Sequence, residues 1–187
     1  MKKLALLTLV AFPLCLSAAE GQRTLKGVTM PLSAQVDGRT LVLNGMGLRT
    51  KFFFKVYVAG LYLEKPSSDG AEVASSEQFK RLDLVFLRSV GGKTVAEALA
   101  EDFANNAGDA MPALKARIER FEKLIPDVKK GGRMSFVYRP GAGLEVLADG
   151  SEAGSIEGKD FADMLFRVWV GEKPADKALK AGLLGNP

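Results

Sequence analysis

Histidine is absent from all 187 residues, and the one cysteine, Cys15, lies close to the N-terminus. Without histidine there is no Ser-His-Asp or Cys-His nucleophilic centre, and the commonest ligand for zinc or copper is missing. Without a second cysteine there is no disulfide framework, so an exported form of this chain must stand on its hydrophobic core alone. Any catalysis falls to tyrosine, lysine, arginine and carboxylates, and neither a metal nor another cofactor is expected. A large excess of one charge is also missing. The formal net charge is +4, and Lys2 and Lys3 supply +2 of it, which leaves +2 for residues 20–187. Those cations are scattered among acidic residues instead of forming a stripe, so nucleic acid is not an expected partner.

Long apolar runs are confined to the start. Met1-Lys2-Lys3 is a short basic segment, residues 4–16 are apolar, and Ser17-Ala18-Ala19 offers small residues for cleavage. That is the pattern of an export signal, and the apolar part falls short of the roughly 20 residues needed to span a bilayer. Leu14 precedes Cys15 where a lipoprotein would need a small residue. The expectation is a signal peptide over residues 1–19 and one domain over residues 20–187, periplasmic, with no membrane span after cleavage. Cleavage also removes the only thiol.

What is present is organised around residues 44–64, N-G-M-G-L-R-T-K-F-F-F-K-V-Y-V-A-G-L-Y-L-E. This stretch is rich in β-branched and aromatic residues and reads as one long strand that opens on the turn glycines Gly45 and Gly47. Alternation places Phe52, Phe54, Val56, Val58, Gly60 and Tyr62 on one face, and Phe53, Tyr57, Ala59 and Leu61 on the other. Neither face is purely polar, so the strand should be central and covered on both sides. Arg49 and Tyr57 have the same parity. A guanidinium fork matches a carboxylate, and a phenol hydroxyl can donate to the same group while its ring lines an apolar pocket. They are the candidate ligand-binding residues. Lys51 and Lys55 share that parity and read as solvated strand lysines.

Around this stretch, Asp37-Gly38 marks a hairpin over residues 34–43. Residues 79–88 read as a strand. Thr94 and Glu97 form a capping-box pattern for a helix, and a second helix has Asp109 as its N-cap, Pro112 in its first turn and Leu114, Ile118, Phe121 and Ile125 as its buried stripe. Strands over 133–139 and 144–148 form another hairpin, and 153–157 adds a short strand. Residues 159–170 give the clearest helix, with Phe161, Met164, Leu165, Val168 and Trp169 on one core face. A short helix ends near Gly185. Strands, two helices, strands and a helix point to one α+β domain, a largely antiparallel sheet with helices packed on it.

Three blocks in order give this chain a family resemblance: G-M-G-L-R-T-K-F-F-F-K-V-Y-V-A-G-L-Y-L-E, F-E-K-L-I-P-D-V-K-K-G-G and D-F-A-D-M-L-F-R-V-W-V-G-E-K-P. Together they resemble chalcone isomerase-like proteins of the bacterial, exported branch. The resemblance implies an open-faced β-sandwich, a large antiparallel sheet with a helical layer and a ligand cleft between them. It implies that Arg49 faces the cleft and meets the anionic or carbonyl end of a ligand. Tyr57 falls where the plant enzymes carry threonine and is similar to the tyrosine of fatty-acid binders. The helix near Thr94 lacks the tyrosine and asparagine of the plant enzymes, Lys93 meets their lysine only with a slip of register, and Asp176 falls near their Ser/Thr position. The implied function is therefore non-enzymatic binding of a fatty acid or similar amphipathic carboxylate, with no catalytic residue assigned. The alternatives are an isomerase or intramolecular lyase acting on a chalcone-like or other enone, with Arg49 polarising a carbonyl, and an envelope interaction module with an occluded cleft.

Overall fold

The computed structural model describes residues 21–185. The expected signal peptide and Cys15 lie outside that range. Nine strands and five helices follow in the order β1 (Gln22–Leu25), β2 (Val28–Pro31), β3 (Ser33–Val36), β4 (Arg39–Lys51), β5 (Phe54–Leu63), α1 (Gly70–Ser75), β6 (Lys80–Phe86), α2 (Gly92–Ala107), α3 (Met111–Glu122), β7 (Arg133–Arg139), β8 (Gly143–Ala148), β9 (Ser151–Ile156), α4 (Lys159–Val170) and α5 (Lys177–Leu183). Strands β3 to β9 form one antiparallel sheet in chain order, and β1 pairs with β2 in a separate hairpin.

β5 is covered on both sides. Ala59, Leu61 and Leu63 face the helical layer with Leu84, Phe136 and Val146 from neighbouring strands. Val58 and Tyr62 face a second, smaller core with Val28, Met30 and Leu41. Rings of Phe103, Phe121, Phe136, Phe161 and Trp169 stand 5.3–5.9 Å apart in a continuous cluster that ties α2, α3 and α4 to β7. Burying each such side chain contributes on the order of 1.5–3 kcal/mol.

The expected single strand over residues 44–64 is in fact a hairpin. β4 runs through the Asn44–Gly47 segment without a break, Phe52 and Phe53 make a two-residue turn, and β5 returns. Both turn residues have positive φ, 47° and 66°. That geometry usually draws asparagine or glycine, so Phe-Phe gives no sequence signal for a turn. The Asp37-Gly38 turn, by contrast, carries the expected residues and has φ of 49° and 75°.

Gly45 and Gly47 do not serve a turn. A Cβ on Gly45 would lie 2.2 Å from the carbonyl oxygen of Gly182, and one on Gly47 would lie 2.4 Å from that of Leu179. The two glycines let α5 rest directly on the β4 backbone. Asn44, the extra residue of a bulge between Leu43 and Gly45, fastens the contact by donating to the carbonyls of Leu183 at 2.8 Å and Ser67 at 3.0 Å. Gly47→Ala should therefore destabilise the fold by about 1–3 kcal/mol, because backbone and not a flexible side chain must move. Thermal denaturation against wild type checks it.

Two expected caps are replaced. α2 starts at Gly92, and Asp127 accepts from its amide at 2.7 Å, so Thr94 falls inside the first turn and Glu97 in the second, and they form no box. Asp109 sits in a 3₁₀ turn over Gly108–Ala110 and caps nothing, while Pro112 does occupy the first turn of α3.

Candidate functional site

Between β4, β5, β6 and the helices α2 and α4 lies a cavity of about 430 Å³. Val56, Leu84 and Phe86 form its sheet wall, and Val95, Ala98 and Leu99 form its α2 wall. Arg49, Tyr57, Asp102 and Trp169 contribute polar groups to it, and Lys51, Arg88, Ser89 and Thr94 line it as well. Arg49 and Tyr57 come together as expected, but not along one strand: they are directly opposed partners on β4 and β5. Directly opposed residues always share a face, so their meeting does not depend on parity along one strand. The bulge at Val56, just beyond this pair, lets the strand bend as it leaves the site.

Arg49 is held from behind. Its Nη1 donates to the carbonyls of Ala175 and, at 3.4 Å, Thr50, and stands 3.7 Å from Asp176 Oδ2. Asp176 itself accepts from the Ala178 and Leu179 amides as the N-cap of α5, and from the Thr50 amide at 3.2 Å. The close seating of α5 on Gly45 and Gly47 thus places the groups that anchor the guanidinium. Among the described residues no hydrogen bond uses Arg49 Nε or Nη2. Those donors remain for a ligand.

Tyr57 is tied down from the other side. Trp169 Nε1 donates to the Tyr57 hydroxyl at 3.0 Å. That leaves the phenol proton without an acceptor among the described residues. Burial pushes the Tyr57 phenol up to about 12, against the Trp169 hydrogen bond and the Arg49 charge, which lower it. It therefore stays a donor across the working pH range. Trp169 reads from its spacing as a core residue, and it is buried, but it also orients the site. Its signal was the indole N–H, which needs a partner when buried.

Asp102 is the residue the sequence reading missed. Burial holds its carboxyl above the usual range, and the nearby Arg49 pulls it back. It lies seven residues after Val95 and three after Leu99, so it interrupts an apolar helical stripe with a carboxylate. Lys93, the counterpart of the enzymes' lysine under a slipped register, faces outward and pairs with Glu97 at 3.8 Å.

A profile of chalcone isomerase-like proteins matches residues 22–185. This chain belongs to the chalcone isomerase-like family. Among solved structures it is similar to a fatty-acid binding protein of Arabidopsis thaliana, with a TM-score of 0.74 and 16% identity, covering 89% of this chain and 97% of that one. At that identity the likeness establishes the chalcone isomerase-like fold, the expected open sheet with its helical layer. No curated protein matches this chain.

The geometry makes Tyr57→Phe a test of the chalcone isomerase-like cleft. Losing the hydroxyl removes one donor from the cavity wall and strands the buried Trp169 N–H. Carboxylate binding should weaken by about 1 kcal/mol, roughly fivefold, and stability should fall by about 1–2 kcal/mol. Ligand titration and thermal melting of the same preparation measure both.

Proposed function

We propose that this protein binds a fatty acid or a similar amphipathic carboxylate without turning it over, and that it does so in the periplasm after residues 1–19 are cleaved. The observation that carries the reading is that free donors, Arg49 Nε and Nη2 and the Tyr57 hydroxyl, line one mostly apolar cavity. Preformed pockets of this size, mostly apolar with a few converging polar groups, suit small amphipathic ligands. The carboxylate would meet the Arg49 fork and the Tyr57 proton, and the tail would lie along Val56, Phe86, Val95 and Leu99. The Arabidopsis protein that shares the fold is itself a fatty-acid binding protein, which supports the same reading. The open cavity also weighs against an interaction module with an occluded cleft.

Delipidated protein titrated with palmitate and with the matching alcohol tests this directly. Preference for the carboxylate by at least tenfold is expected, and equal affinity would overturn the head-group assignment. N-terminal sequencing of the processed form checks the leader.

One observation favours a second reading, an isomerase or intramolecular lyase. Asp102, with its raised pKa beside Arg49, could exchange a proton with an enone polarised by the guanidinium. Chalcone turnover that wild type shows and Asp102→Asn lacks would establish it.

A further inference from the structure

Five large hydrophobic residues are exposed among the described residues, and three of them are consecutive: Phe52, Phe53 and Phe54, with 79%, 101% and 61% of their surface accessible. They form the tip of the β4–β5 hairpin. Phe52 and Phe53 sit in left-handed backbone conformation, where bulky side chains are strained, so nothing local in the fold favours phenylalanine there. Three cations surround them. Lys51 and Lys55 are exposed, the Arg88 guanidinium lies 4.9 Å from the centre of the Phe54 ring, and none of the three makes an ion pair among the described residues. Two carboxylates, Asp102 and Asp176, stand beside Arg49, and Asp102 also feels the charge of Lys51.

We infer that this tip is a membrane-docking element, inserting its phenylalanines into the surface of an anionic lipid bilayer while Lys51, Lys55 and Arg88 meet the headgroups. Aromatic side chains partition to the bilayer interface, and each basic residue close to an anionic surface adds to the attraction. The charge pattern selects this occupant over a second copy of the chain, since two copies meeting tip to tip would bring six unpaired cations together. The tip is also continuous with the cleft: Lys51, Phe52, Phe54 and Arg88 line the cavity as well. A docked tip would set the cavity mouth against lipid. Docking itself does not depend on what the cavity holds.

Flotation with phosphatidylglycerol-containing vesicles tests the inference. Wild type should float, and phosphatidylcholine vesicles should recover much less. Phe53→Asp should lower partitioning at least tenfold. Both proteins carry the same N-terminus, so any contribution of residues 1–19 is common to them. Phe53 does not line the cavity and packs against nothing, so Phe53→Asp should keep the wild-type melting temperature and palmitate affinity in solution, which separates this result from the binding assay. Lys51→Glu/Lys55→Glu should reduce flotation most at low salt. Phe53→Trp adds an emission that should shift to the blue on the vesicles and be quenched by brominated acyl chains. Wild type that stays with the unbound fraction, or a Phe53→Trp emission unmoved by vesicles, overturns the inference. Sedimentation showing a Phe53-dependent dimer without vesicle binding reassigns the tip to self-association.

Discussion

Replacing Arg49 with alanine should weaken binding of a long-chain carboxylate by roughly a hundredfold. The estimate follows from losing charge-assisted hydrogen bonds in a mostly apolar cleft, on the order of 3 kcal/mol. Arg49→Lys keeps the charge but loses the planar fork, so it should fall between wild type and alanine. Asp102→Asn should act in the opposite direction. The Asp102 carboxyl shares the cavity with the incoming carboxylate, and removing its charge should tighten binding by about 1 kcal/mol. A bound carboxylate raises the Asp102 pKa further, so the complex holds more protons than the free protein, and affinity should fall as pH rises through the titration of Asp102. That slope should vanish in Asp102→Asn. Titrations of the three variants across pH read all of these outcomes. An alanine variant that binds as wild type does would remove Arg49 from the site.

Much of this site can be read from the sequence, and the parts that cannot have physical causes. The α4 helix, the β7–β8 hairpin and the buried stripe of α3 follow from apolar periodicity, because burial of a face is what shapes those segments. The Phe52-Phe53 turn does not, since turn chemistry normally shows itself through glycine or asparagine and here phenylalanine holds both positions. Arg49 and Tyr57 consequently meet across a ladder instead of along a strand. Gly45 and Gly47 resemble turn glycines in sequence, and only the packed position of α5 shows that they clear space for backbone. Asp102 was visible as a carboxylate in an apolar stripe, but an exposed helix edge would look the same. Trp169 shows a related limit: spacing reports that a ring is buried and says nothing about where its N–H points.

The largest stability effect is expected at Lys80, which does not line the cavity. Its side chain is fully buried, donating from Nζ to the carbonyls of Ala74 at 2.8 Å and Val73 at 3.2 Å, between the rings of Tyr138 and Phe166 at 4.8 Å each. Asp163 stands 3.8 Å away, and Lys159 completes the arrangement by donating to the Ser75 carbonyl at 2.6 Å. Two lysines from β6 and α4 thus close the C-terminal end of α1, where free carbonyls need donors. Lys80→Ala leaves those carbonyls unpaired and opens a cavity between two rings, at a cost of about 4 kcal/mol or a melting temperature lower by roughly 12 °C. Lys80→Met fills the space and should lose about half as much.

Burial lowers the Lys80 pKa to about 8, with Asp163 opposing, while an unfolded lysine titrates near 10.5. Between those values the unfolded chain holds the extra proton, so stability should rise with pH, by at most about 1.4 kcal/mol per unit. Tyr57 and Tyr62 act with the opposite sign. Burial pushes both to about 12, so above their ordinary value of 10.0 the folded chain keeps protons that the unfolded chain loses, and stability should fall. Denaturation across pH should show a maximum near pH 10 in wild type and no rise from pH 8 in Lys80→Met. Because α4 also carries Trp169, Lys80→Met should melt earlier yet bind palmitate with wild-type affinity wherever it is folded, separating the support of α4 from the chemistry of the cleft.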